Sequence, residues 1–398
     1  MFRTFTTLLT LGLASAMPSK MPRQNTPESH KLVIGTPAQV LTADFDGSKF
    51  SITGNHTVAG ESPSWLLYKD PNLLYSVNEN GIDTNLLQLD DKKQVGSAGP
   101  VKSANGSSGV VFLEFNKDKT RMVGAAYGNG TIDVFDVSGD SLKEKPIKSI
   151  TIPGEPSKAT DQQAAHHPHQ ALLDPTGRFF VVPDLGGDIV FVVDSQDDKY
   201  EIVGNYTLKT RGAGPRHGGF ITTGNATYYV LACEISSDLM LFKLDYPGNT
   251  INFNFLAKQK TYGADAPPAN LTSAAAGELV VASNNRDVYV SNRLTGNATG
   301  DSIAHFTFAG GALTYHHTVP SSGIQPRMFS LSADDDQSLL FVANQGGDSG
   351  LVVLQRCSES GTLDPTPLAT MANKDIIAPQ LAAQQYMGPT FVKELPSS

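Results

Sequence analysis

Six segments of this 398-residue chain repeat one plan, and that repetition leaves few folds open. Each begins with Pro or a similar start, enters an apolar strand, turns, and runs a second strand into a polar pair. They read PSWLLYKDPNLLYSVNE from Pro63, VVFLEFNKDKTRMVGAAY from Val110 and PHQALLDPTGRFFVVPD from Pro168. PRHGGFITTGNATYYVLACE from Pro215, GELVVASNNRDVYVSNR from Gly277 and PRMFSLSADDDQSLLFVANQ from Pro326 complete the set. Successive starts lie 47, 58, 47, 62 and 49 residues apart. That spacing suits one four-stranded blade plus its loops, which predicts an all-β propeller. A β-solenoid would show shorter and more regular periods.

Turn chemistry supports the same reading. Asp174-Pro175-Thr176-Gly177, Lys69-Asp70-Pro71-Asn72 and Thr223-Gly224-Asn225 fall between first and second strands, where tight hairpins favour Gly, Asn or Asp. Third strands follow from Thr131, Asp188, Asp238 and Asp301, and no segment longer than ten residues has a convincing helical period. Residues 31–46 and the tail are left over. KLVIGT from Lys31 and GPTFVKEL from Gly388 each read as a strand. If they pair, they complete a seventh blade and close the ring, which removes its exposed edges. The expectation is therefore one seven-bladed domain over residues 31–398, preceded by a short segment at 17–30.

Residues 1–16 look like an address. Arg3, the apolar run Phe5 to Leu13 and the small-x-small site Ala14-Ser15-Ala16 predict a cleaved secretory signal, too short to span a bilayer. Sequons at Asn55, Asn105, Asn129, Asn205, Asn225, Asn270 and Asn297 exceed what the composition supplies at random, and they matter only on the secretory route. The expected product is an extracellular glycoprotein without a membrane span. Lys plus Arg number 30 against 39 Asp plus Glu, with no long basic run, which argues against a nucleic-acid partner. Two cysteines cannot staple a chain of this length.

Two sets of polar residues should meet at one end of the channel, because the start of a first strand lies beside the end of the second. After the repeated Pro come Ser64, His169, Arg216 and Arg327, with Glu278 and Val111 in the equivalent places. Second strands end at Glu79, Tyr127, Asp184, Glu234, Arg293 and Gln345. Three arginines at one mouth repel unless carboxylates or an anion compensate, so an anionic ligand is the expected occupant. Inter-blade ion pairs, with Arg216 or Arg327 holding Asp184 or Glu278, are the structural alternative. His166, His167, His169 and His217 lack the matched Cys or carboxylate spacing of a metal site, and no metal or cofactor is expected.

The segments HPHQALLDPTGRFFVVPDLG, GAGPRHGGF, LYSVNEN, VYVSNR and PRMFSLS…LLFVANQ resemble the seven-bladed lactonase propeller family, from about Lys31 to Leu395. That family includes propeller-type 6-phosphogluconolactonases and fungal carboxy-cis,cis-muconate cyclases. The resemblance implies a site made of His169, Arg216, Glu234 and Arg293. It implies, first, a redox-neutral cycloisomerase that closes a polycarboxylated muconate into a lactone. Arg216 and Arg293 would clamp carboxylates, Arg327 and Glu278 would add binding contacts, and His169 or Glu234 would move the proton. The alternatives are hydrolysis of a lactone and a non-catalytic secreted protein that uses the propeller for binding or adhesion. The export signal disfavours 6-phosphogluconolactone itself, a cytosolic metabolite.

Overall fold

In a computed structural model, residues 29–224, 226–381 and 383–396 are described. The expected signal at 1–16 and Asn225 lie outside them. Seven four-stranded antiparallel sheets follow one another around a central channel. In blade order, their innermost strands are Phe391–Glu394, Leu66–Lys69, Val110–Phe115, Leu172–Leu173, Pro215–Thr223, Ala275–Val281 and Ile324–Leu331.

Ring closure follows the expected route. The tail strand Phe391–Glu394 pairs antiparallel with His30–Thr36, and two further strands, Gln39–Phe45 and Phe50–Thr57, complete blade 1. The N-terminal contribution therefore extends to Thr57, beyond the 31–46 read from sequence. Among the described residues the helices are four three-residue 3-10 turns.

The strand runs explain the packing. Each middle strand is covered on both faces by neighbouring blades, so Phe179–Asp184 (FFVVPD) is buried at every position and cannot show simple alternation. An outer strand such as Asn252–Lys260 is mostly exposed. Apolar clusters fill the wedges between blades. Phe45 of blade 1, for instance, meets Phe341 of blade 7 edge-on at 6.0 Å, within a cluster that also holds Phe391. No helix among the described residues is long and apolar enough to cross a membrane.

Candidate functional site

One irregularity recurs where the inner strands begin. The register of first against second strand skips between Val110 and Phe112, Pro215 and His217, and Pro326 and Met328, and it breaks between Ala276 and Leu279. These are β-bulges, which leave one residue unpaired and re-aim its side chain. Val111, Arg216 and Arg327 are the extra residues, and they point into the channel mouth as a rim. The residue after each bulge forms a second layer beneath. There Trp65, His217, Glu278 and Met328 share one small cavity with His169 and Arg216. Trp65 packs 4.3 Å from Phe112, 5.1 Å from Phe391 and 5.8 Å from His217 between ring centroids.

At the rim, Arg216 is the hub. Its Nη1 donates to Glu234 Oε2 at 2.5 Å and to His169 Nε2, and its Nε donates to the Gly277 carbonyl at 3.2 Å. Arg293 reaches the same Glu234 oxygen at 3.1 Å and donates to the Ala276 carbonyl at 2.9 Å. Arg327 pairs with Glu79 at 2.6 Å. Tyr127 stacks on His167 at 4.1 Å and stands edge-on to His169 at 5.6 Å. The four residues His169, Arg216, Glu234 and Arg293 thus form one connected group. Arg327 and Glu79 lie beside it.

Electrostatics sort these groups by protonation. Burial alone would raise the Glu234 carboxyl, but Arg293 and then Arg216 outweigh it and hold the group at about 2. Burial draws Arg293 down to about 10. His169 is held well below the ordinary histidine value, first by burial and then by the Arg216 charge. At neutral pH the mouth therefore carries an ionised Glu234 and an uncharged His169. Neither group then carries an acidic proton at neutral pH.

Two ring assignments need correction. Glu234 N–H donates to the Gly214 carbonyl, two residues before Arg216; Leu185 N–H donates to the His167 carbonyl, two residues before His169. Leu185 thus holds the position of Glu234 in blade 4, and Asp184 sits one residue off. Its carboxylate is fully buried and accepts from His166 Nδ1 and the His167 backbone N–H, both at 2.5 Å. Glu278 is likewise displaced by one. Ala276 faces Asn292 as Pro215 faces Cys233, so the rim position of blade 6 belongs to Gly277. Glu278 lies in the second layer, accepting from His217 Nδ1 at 2.8 Å and the Leu279 N–H at 3.0 Å. From there it lines one small cavity together with His169, Arg216 and Arg327. The arginines hold Glu234 and Glu79 instead of the Asp184 and Glu278 considered from sequence.

His217 was the residue whose role the sequence concealed. Strict alternation would turn it away from Arg216, whereas the bulge lets both side chains reach His169. In the sequence it stood out only beside Arg216, in Pro215-Arg216-His217, and in the histidine group considered for a metal.

Comparison with known proteins agrees with this architecture. The family model described as "Lactonase, 7-bladed beta-propeller" matches residues 31–376. A protein of Arthroderma benhamiae described as "Probable 6-phosphogluconolactonase" is 30% identical over 275 residues, 67% of each chain. Among solved structures, a periplasmic gluconolactonase of Pseudomonas aeruginosa superposes with a TM-score of 0.74 at 22% identity, over 92% of this chain and 99% of its own. A Lactobacillus plantarum protein gives 0.74 at 23% identity with the same coverage. The extent of the family match and the blade-by-blade architecture agree: this chain belongs to the seven-bladed β-propeller lactonase family.

Proposed function

We propose that this protein opens the ring of an anionic lactone by attack of water at the channel mouth. One observation carries the reading: buried His169 turns its Nε2 to Arg216 Nη1, beside Arg293 and Arg327 in their ion pairs, where burial and the Arg216 charge hold the ring well below the ordinary histidine value. The Arg216 Nη1 that covers this nitrogen is shared with Glu234, so an oxygen-rich ligand can draw it away. His169 then takes a proton from water, and the hydroxide electron pair forms a bond to the lactone carbonyl carbon. Arg216 stabilises the oxyanion, and Arg293 or Arg327 holds a carboxylate or phosphate substituent. On collapse the ring C–O bond breaks, and the departing oxygen recovers the proton from His169. The described name of the Arthroderma relative supports lactone hydrolysis as the reaction class.

Closure of a polycarboxylated muconate is the second reading. Three arginines against two mouth carboxylates leave a positive excess that favours an anionic ligand such as a carboxylate. That reaction also needs an acid to protonate carbon, which neither ionised Glu234 nor uncharged His169 supplies readily. A panel of aldonolactones, with and without an anionic substituent, should release one proton per turnover in a pH-stat, faster for the charged members. Faster absorbance loss from 3-carboxymuconate would favour closure. Turnover of neither class would leave the propeller as a binding module.

Export is part of the same proposal. Asn55, Asn105, Asn129, Asn205 and Asn270 are exposed and Asn297 is half-buried, which supports glycosylation on a secretory route. Expression through a eukaryotic secretory pathway should yield a form starting near Met17 that becomes lighter on glycosidase treatment. A full-length, glycosidase-insensitive product would oppose it.

A further inference from the structure

We infer that His217 and Glu278 are positioning residues that set the tautomer of His169 and offset the charge it acquires, through a one-way hydrogen-bond chain beneath the mouth. This rests on the proposal that His169 is the base.

The direction of the chain follows from donor chemistry alone. A guanidinium only donates, so His169 Nε2, bonded to Arg216 Nη1, must accept. An uncharged His169 then carries its proton on Nδ1, which lies 3.0 Å from His217 Nε2. His217 Nε2 must in turn accept, which places the His217 proton on Nδ1, 2.8 Å from Glu278 Oε1. The chain runs from arginine through two imidazoles to a carboxylate without a conflict of donors. Burial lowers both rings, while Glu278 acts in the opposite sense on His217.

The surroundings suit such a chain. Phe112 and Trp65 stand edge-on to His217 at 5.7 and 5.8 Å, which keeps solvent away from below. Glu278 is almost fully buried, and its Oε2 has no protein partner in a space about the size of one water. Burying a carboxyl group is costly, so its retention behind His217 and the base needs a reason. When His169 gains a proton at Nε2, the positive charge is stabilised through His217 by Glu278. On collapse of the tetrahedral adduct, that proton leaves with the ring oxygen and the chain returns to its starting state. The charged and titratable groups that face the pair are Arg216, Arg327, Glu234 and Tyr127, besides Glu278.

Two arms test the inference on the full-length protein. In the substrate-free arm, 15N-histidine NMR should show His169 as the Nδ1–H tautomer in the wild type, and as a mixture in His217→Phe and His217→Gln. In the kinetic arm, Glu278→Gln should lower kcat for the best lactone of the panel by about 100-fold, the scale seen when a partner orienting a functional histidine is lost. KM should stay within about twofold, and the acid limb of the pH–rate profile should move. Adding His217→Phe to Glu278→Gln should cost far less than the product of the single losses, as for residues acting as a unit. An Nε2–H tautomer in the wild type, or a His169 signal unmoved by both His217 variants, would overturn the inference. So would a Glu278→Gln enzyme with unaltered kcat and profile. Should the wild type hydrolyse no lactone while the tautomer depends on His217, the hydrolytic reading fails and the positioning role stands.

Discussion

Arg216 concentrates the chemistry at the scale of single residues, because one guanidinium serves His169, Glu234 and the Gly277 carbonyl together. A lysine there keeps the charge and loses the planar fork, so Arg216→Lys should reduce kcat/KM by about 100- to 1,000-fold, as when an oxyanion donor is lost. Arg293 does two jobs, since it ties blade 6 to Glu234 of blade 5 as well as facing the mouth. Arg293→Lys should therefore lower both ligand affinity and melting temperature, measured on the same preparation. Unchanged affinity with lowered stability would leave Arg293 a purely structural tie. The pH–rate profile expected from the proposed mechanism follows from His169, which serves there as a base when uncharged. Its value lies well below 6.5 through burial and the Arg216 charge, so kcat/KM should stay level from about pH 8 to 6.5 and fall only below that.

Among the elements, the bulged start of each inner strand shapes the mouth. Gly277 occupies the rim position of blade 6 and leaves room for Arg293. A Cβ there would stand 2.4 Å from Ser291 Oγ, 3.0 Å from the Pro326 carbonyl and 3.1 Å from Arg293 Cδ. Gly277→Ala should thus cost about 1–3 kcal/mol by overpacking and lower activity by shifting Arg293. Denaturant melts and kinetics of this variant check both. The tail strand Phe391–Glu394 is another such element. It closes blade 1 and contributes Phe391 to the layer under the mouth, against Trp65. Removing residues 387–398 should expose the edge of His30–Thr36 and unseat Trp65. Light scattering should then report aggregation; a truncated chain that stays monomeric with an unchanged melt would count against closure by the tail.

For the whole molecule, buried histidines set the pH dependence of stability. Burial is the leading cause that lowers His56, His169, His217, His305 and His317, the last to about 4. The unfolded chain binds protons at these rings near 6.5, before the folded chain does, so stability is full above that pH and declines as pH falls below it. His166 has the opposite sign, because its bond to Asp184 raises it. Glu234 adds a further loss as pH falls from about 4.5 towards 2. The melting temperature should accordingly be highest above about pH 6.5 and drop steadily towards pH 4. A flat melting curve between pH 7 and 5 would contradict the burial of these rings.

Blade count, ring closure and most residues of the rim could be read from the chain because their causes are local. Strand period, turn residues and repeat length are written into short stretches such as Asp174-Pro175-Thr176-Gly177, and GPTFVKEL stands out as a strand with no partner nearby. Tertiary structure decided what depends on register. A one-residue slip sends a strand's side chains to the other face, and a bulge is such a slip confined to one strand. For that reason Asp184 and Glu278 fell one position from their expected places, and His217 joined the site. Pairings across the channel were equally hidden. Arg327 meets Glu79 across 248 positions of chain, and His169 meets His217 only because the blades curve their inner strands onto one axis. Protonation came last of all, since the buried carboxyl of Glu234 is kept ionised by the guanidiniums of Arg293, Arg216 and Arg327 that the closed ring brings to it.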